Sequence, residues 1–364
     1  MSLNCGIVGL PNVGKSTLFN AMTAAHVPAE KYPFCTKDQN TGMVAVPDPR
    51  LVNISAIFKP ERVVPTQVEF VDIAGLVEGA HKGEGLGNRF LGHIREVDAI
   101  AHVVRCFDAP DVAHAYPDID PVHDIEVVNT ELALADLDLI QKRHEKTAHA
   151  AKTGNAEARH ELPVLEKLKA AVEHGMHARK AGLTPAEWGL MPTIGLVTDK
   201  PVLYVLNVNE SDVKTPSERV KRALAYAQKE GAPGVEICGS IEDELADLSD
   251  EEKRAFLDDL GLEEPGLPRL IHATYKLLDL ITFFTKDGPE VRAWTIKRGT
   301  KAPQAAGKIH TDFERGFVRA EVYSYDELVK SGSEHKVKEE GHLRIEGHDY
   351  VIKDGDIVHF RFNV

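Results

Sequence analysis

The run Gly9-Leu10-Pro11-Asn12-Val13-Gly14-Lys15-Ser16-Thr17 is the densest concentration of chemistry in the chain. Two glycines five positions apart, followed directly by a lysine and a hydroxyl residue, make a loop that turns backbone N–H groups around a diphosphate. Lys15 would reach the β and γ phosphates, and the Ser16 hydroxyl would ligate Mg²⁺. Gly14 stands where a side chain would block an approaching phosphate. Asp72-Ile73-Ala74-Gly75 begins 57 residues beyond Lys15 and supplies the other half of such a site. Asp72 would hold the metal through water, and the Gly75 N–H would meet the γ-phosphate. Between the two motifs lies Tyr32-Pro33-Phe34-Cys35-Thr36, where the Thr36 hydroxyl is placed to complete the metal shell.

The residue after Gly75 sets the rate such a site can reach. Many GTPases carry a glutamine there to orient the attacking water. Here it is Leu76, which can neither donate nor accept a hydrogen bond, so hydrolysis is slow or the water is held by another group. His81, His93 and His114, or backbone groups assisted by a bound cation, could serve. His114 ranks first, because it lies in a polar loop just past a strand's carboxyl end, where open α/β sheets bind ligands.

The base is read further on. GTPases recognise guanine through Asn-Lys-x-Asp, whose aspartate accepts two hydrogen bonds from the base while the lysine packs along it. This chain has Asn207-Val208-Asn209-Glu210. Valine removes the stem and the charge, and Glu210 moves the carboxylate outward by one methylene. Misplaced partners cost a site its discrimination, so selectivity for guanine is relaxed or reversed toward adenine. Phe107, at a strand end, could stack on a purine.

These groups need a scaffold that brings strand ends together. Residues 3–8, Gln67–Asp72, Ala99–Arg105, Pro201–Leu206 and Val235–Cys238 read as strands, with a helix over 15–25. Alternating strands and helices imply an α/β fold with a mostly parallel sheet. Residues 129–197 change character. Apolar residues at helical spacing over 131–140 and 162–172 flank a break at Gly154, which implies two antiparallel helices turning near 152–156. Residues 242–263 and 267–280 are helical in pattern. From 281 to 364, short alternating runs such as Val291–Ile296 and Tyr350–Lys353, with turns at Asp287-Gly288 and Asp354-Gly355, indicate a small β-rich domain.

Composition bounds the partners. The 364 residues carry a formal charge of −14, which argues against wholesale wrapping of nucleic acid, and DNA is not expected as a partner. Residues 281–364 hold 14 basic and 14 acidic residues, so the C-terminal part is the least repelled by RNA. No apolar run approaches the ~18 residues of a membrane span. The first strand begins too early to leave room for a signal peptide. Four scattered cysteines suit reduced thiols, and a cytoplasmic location is expected.

Taken together, these motifs resemble those of the YchF family, the Obg-like ATPases, along the whole chain. The resemblance extends to Phe34-Cys35-Thr36, Asp72–Leu76, Lys82-Gly-Glu-Gly-Leu-Gly-Asn88, Asn207–Glu210, Ala302–Asp312 and Asp354-Gly-Asp356. It implies an Obg-type nucleotide domain (1–128 plus 198–280), an inserted helical coiled coil (129–197) and a C-terminal TGS domain (281–364) of β-grasp kind. It implies ATP in preference to GTP, and an association with ribosomes in translation or stress. By position, Asn12 to Thr17 and Thr36 would bind phosphates and Mg²⁺, Phe107, Asn207 and Val208 would frame adenine, and Asn12 suggests a K⁺ site offsetting the missing glutamine. Two other readings are a GTPase acting as a translation or ribosome-assembly factor and a small-molecule kinase using the same loop.

Overall fold

The computed structural model describes residues 3–24, 40–73, 86–191, 194–246 and 248–363. Cys35, Thr36, Gly75, Leu76 and His81 lie outside the described residues. In chain order the strands are β1 (Asn4–Val8), β2 (Thr41–Ala45), β3 (Arg62–Val64), β4 (Gln67–Asp72), β5 (Ala99–Arg105) and β6 (Val202–Asn207). They continue as β7 (Gly234–Ile237), β8 (Leu280–Asp287), β9 (Glu290–Lys297), β10 (Phe317–Ser324), β11 (Arg344–Glu346) and β12 (Asp356–Phe362). Five helices matter below: α1 (Lys15–Ala24), α2 (Pro49–Phe58), α3 (Leu86–Glu96), α4 (Pro121–Lys152) and α5 (Ala156–Glu173).

One sheet runs β2-β4-β1-β5-β6-β7. Within it β1 pairs in parallel with β4 and β5, β5 with β6, and β6 with β7. Every residue of β5 and β6 is buried, as a parallel sheet covered on both faces requires. The chain starts in the middle of this sheet, at β1, and later strands are added on both sides. The carboxyl ends of β1, β4, β5 and β6 therefore flank one crevice, the place where such sheets hold ligands. Cys5, Cys106 and Cys238 are buried, and none of the three is in a disulfide.

Helix α4 carries a long arm out of this sheet's connections. It starts at Pro121, capped by the Asp120 side chain, which accepts from the Val122 N–H. That is eight residues earlier than the boundary expected at 129, because the first turns belong to the nucleotide unit. Ile125 and Val128 are buried, and the Asn129 amide donates to the Tyr204 hydroxyl on β6. The turn to α5 falls at Thr153–Asn155, with Gly154 at φ +96° and the Asn155 side chain capping α5, where the break was expected. Ile140, Val164, Leu165 and Leu168 form the seam between the two helices, and Arg143 clamps Glu161 with both carboxylate oxygens. The acidic stretch 242–263 divides into two helices, Gly239–Ala246 and Asp250–Leu260.

By packing, Met1–Gly42 and Glu69–Leu270 form one compact unit, and Met43–Val68 with Ile271–Val364 form the other. The second unit thus takes in a segment that the sequence reading assigned to the nucleotide domain. The reason is pairing: β3 lies parallel to β9, and Leu51 and Ile54 of α2 pack with Phe284, Val291 and Tyr323. Its sheet runs β11-β10-β12-β8-β9-β3. The β8–β9 hairpin closes at the expected Asp287-Gly288 turn, and helix Ala302–Ile309 sets its small residues Ala302, Ala305 and Ala306 against the sheet. Tyr350–Lys353 is not a strand. Val351 makes one bridge to Lys301, and β12 begins after the Asp354-Gly355 turn.

Candidate functional site

The loop between β1 and α1 leaves the strand at Gly9 and closes on the helix at Lys15. A Cβ on Gly9 would lie 2.4 Å from the Val103 carbonyl oxygen of β5, a backbone atom that cannot give way. Gly14, at φ +95°, is the second obligatory glycine, and its reason differs from the expected one. A Cβ there would meet the Asn207 side-chain nitrogen at 2.2 Å, so the residue is needed for protein packing as well as for phosphate access. Asn12 takes a left-handed φ of +62°, which asparagine tolerates better than most residues. Its amide donates to the Ala113 carbonyl at 3.1 Å. Val13 is buried, so the loop offers its backbone and not this side chain.

Lys15 is 8% exposed, and its ammonium donates to the carbonyls of Leu10 (2.7 Å) and Gly9 (3.2 Å) at the mouth of the loop. Burial lowers its pKa, and the nearby Asp72 carboxylate opposes that shift. Ser16, in the first turn of α1, donates to Asp72 Oδ2 at 3.3 Å. Asp72 Oδ1 is buried and has no hydrogen-bond partner among the described residues. Burial raises the Asp72 pKa, opposed by Ser16 and Lys15. A buried carboxylate oxygen without a donor, beside a hydroxyl at a helix start, fits Mg²⁺ or a water bound to it. Among the described residues no cluster of three or more His, Cys, Asp or Glu could cage a metal alone. Mg²⁺ here would take most of its ligands from phosphates and water, as it commonly does.

The base side is built from β5 and β6. Asn207 is 4% exposed, donating from Nδ2 to the Val13 carbonyl (3.0 Å) and accepting at Oδ1 from the Gly239 N–H (3.0 Å). Its amide joins the phosphate loop to the segment after β7 and uses one of its two N–H groups to do so. It supports the pocket and keeps a second donor. Val208 departs from expectation. Its side chain is 2% exposed and its N–H donates to Ile237, so it presents almost no surface to a purine. Glu210 is exposed and accepts from the Ser240 hydroxyl at 3.4 Å. Phe107 is partly exposed, and its ring stands 4.6 Å above the Arg105 guanidinium carbon.

His114 sits in the loop past β5, as expected, but neither ring nitrogen is idle. Nε2 is 2.9 Å from Asp124 Oδ2 in the first turn of α4, and Nδ1 lies between the Tyr116 N–H and C=O. Three residues here were not singled out in the sequence. Arg105 underlies the whole loop, Asp124 holds His114, and Asn209 accepts from the Asp108 N–H at 3.2 Å. Only Arg105 carried a signal, as the one charged residue of an otherwise buried strand.

A parallel sheet that gathers a phosphate-cradling loop, a buried lysine and a hydroxyl–aspartate pair at its strand ends defines a phosphate-loop NTPase. A family model described as "50S ribosome-binding GTPase" matches residues 4–143, and the YchF-GTPase_C model, described as a protein of unknown function, matches residues 280–363. The chain is 53% identical to the ribosome-binding ATPase YchF of Haemophilus influenzae and 50% identical to that of Bacillus subtilis, covering all of itself and of each relative. It is also similar to the solved structure of the Schizosaccharomyces pombe YchF GTPase, at 36% identity and a TM-score of 0.90, over 99% of this chain and 98% of that one. The chain belongs to the YchF family.

Proposed function

We propose that this chain is a slow, Mg²⁺-dependent ATPase whose nucleotide state governs its docking on the ribosome. The observation that carries the choice of base is the segment after β6. A guanine reader needs a lysine stem along the base and an aspartate on its edge. Here Val208 is turned into the core and supplies no stem, and Glu210 stands in the aspartate's place with its carboxylate one methylene further out, accepting from Ser240, so the lysine contact is lost and the carboxylate contact is displaced. The relatives bear on the point unevenly, since the bacterial ones are named ATPases and the fission-yeast one a GTPase.

In this reading the loop from Asn12 to Thr17 grips the phosphates, with Lys15 neutralising the β and γ oxygens and Ser16 and Thr36 ligating the metal. Mg²⁺, when bound, would offset charge on the leaving diphosphate. Asp72 would hold a metal-bound water through its unpartnered oxygen. The Gly75 N–H would meet the γ-phosphate, and with Leu76 unable to help, His114 would orient the attacking water. The Asn12 side chain, whose nitrogen end faces Ala113, would offer its oxygen to a K⁺ ion. Phe107 and Glu210 would meet the base. The helical insert and the C-terminal unit, read as a TGS domain, would contact the ribosome, and the location would be the cytoplasm. Competition for labelled ATP tests the reading: unlabelled GTP should displace it at least about tenfold less well than ATP. Equal or better displacement by GTP would give the site to a GTPase.

A further inference from the structure

Arg105 closes β5, a strand buried along its length, and is among the largest fully buried side chains of the described residues, at 1% exposure. A buried guanidinium is costly unless its fixed fork of donors is satisfied. Among the described residues the Arg105 hydrogen bonds run to backbone carbonyls and to no carboxylate. Nε donates to the Phe107 carbonyl (3.2 Å), Nη2 to Ala109 (3.1 Å), and Nη1 to Val112 (3.1 Å) and Ala113 (3.5 Å). All four acceptors belong to one loop, and the same guanidinium carries the Phe107 ring on its face. The Ala113 carbonyl also accepts from Asn12 of the phosphate loop. One cation thus sets where the base-facing aromatic stands relative to the phosphate grip.

We propose that Arg105 is a positioning residue for the base: it holds the Phe107 ring where a purine stacks and so gives the site its base-dependent affinity. The proposal rests on the reading of Phe107 as a base contact. Lysine keeps the charge but offers a point of donors in place of a plane, so Arg105→Lys should release the ring while leaving the phosphate loop in place. An arginine that merely staples the loop would weaken every ligand alike.

Calorimetric titration of the full-length protein with ATP, GTP and inorganic tripolyphosphate, in Mg²⁺, separates these cases. The variants are Arg105→Lys, Arg105→Gln, Phe107→Ala and the Arg105→Lys/Phe107→Ala pair. Stacking of a base on an aromatic is worth enough that Phe107→Ala should weaken ATP about tenfold. Arg105→Lys should do nearly the same, the pair no worse than Phe107→Ala alone, and tripolyphosphate should change less than about twofold throughout. GTP should weaken alongside ATP, because stacking on a ring does not distinguish one purine from another. Equal weakening of ATP and tripolyphosphate, or unchanged ATP binding in folded Arg105→Lys, overturns the role of Arg105 while leaving that of Phe107 intact. Unchanged ATP binding in Phe107→Ala instead removes the base contact itself. If both Arg105 variants lose the native melting transition, Arg105 is a folding residue only and the proposal falls.

Discussion

His114 is held at both ring nitrogens, by Asp124 and by Tyr116, and Asp124 is buried with its second oxygen lacking a partner among the described residues. Nδ1 lies against the Tyr116 N–H and C=O, and Nε2 faces the Asp124 carboxylate. A histidine so placed keeps one orientation and can turn to a water only by giving up one partner. If His114 orients the attacking water, the Asp124 carboxylate sets which way the ring faces when it does so. Asp124→Asn should then lower turnover at saturating ATP by about tenfold, with the dissociation constant for ATP within about twofold. Phosphate release and equilibrium binding measure the two, and undiminished turnover would free His114 of this partner. The sequence pointed to Lys15, Ser16 and Asp72, which the structure brings together, because a phosphate-and-metal site would call for those residue types at those spacings. Asp124 and Asn209 were illegible, since their roles arise only where α4 and the loop after β6 meet the loop after β5. Asn207 and Val208 were legible as a motif but not as to which way they face.

The helix α4 joins these residues to the arm. At 32 residues it spans about 48 Å, and its first turn holds His114 while its far end turns at Gly154. Its apolar spacing continues without a break through 129, so nothing in the pattern marked where the core ends and the arm begins. The break at Gly154 was legible because only glycine reaches φ +96° cheaply. Midway along, Asp136 is fully buried and accepts from the Val197 N–H (2.8 Å), the Thr198 N–H (2.8 Å) and the Thr198 hydroxyl. It pins the returning chain just ahead of β6. Asp136→Ala would strand those donors, at about 1–3 kcal/mol per unpaired group. Burial raises the Asp136 pKa from 3.8 to about 6, against the pull of its hydrogen bonds. The folded state therefore binds the proton more tightly than the unfolded chain, so this contribution is full below 3.8 and shrinks as pH rises through 6. Urea melts of the wild type and Asp136→Ala should show a wider gap at pH 5 than at pH 7.5. A gap that widens with rising pH would contradict the assignment.

At the scale of the whole chain, two compact units share an interleaved sequence. Met43–Val68 leaves the first unit within β2 and returns in β4, and α2 and β3 have partners more than two hundred residues away. No local pattern could have announced this. The run around Leu51 and Ile54 reads as an ordinary amphipathic helix, and β3 is only three residues long. What binds them is remote: Leu51 and Ile54 rest on Phe284, Val291 and Tyr323, β3 pairs with β9, and Arg50 bridges Asp48 to Asp354. The C-terminal unit is accordingly not a module that can be cut away at its own first strand. A chain ending at Leu270 would expose Leu51 and Ile54, each a loss of about 1.5–3 kcal/mol of burial, and would leave β3 unpaired. Limited proteolysis followed by mass spectrometry should then show early cleavage within 43–68, under conditions that leave the full chain intact there. The shortened chain should also melt at a lower temperature. Resistance of that segment in the shortened chain, with an unchanged melt, would mean that α2 and β3 are held by the nucleotide unit and not by the sheet that pairs with them.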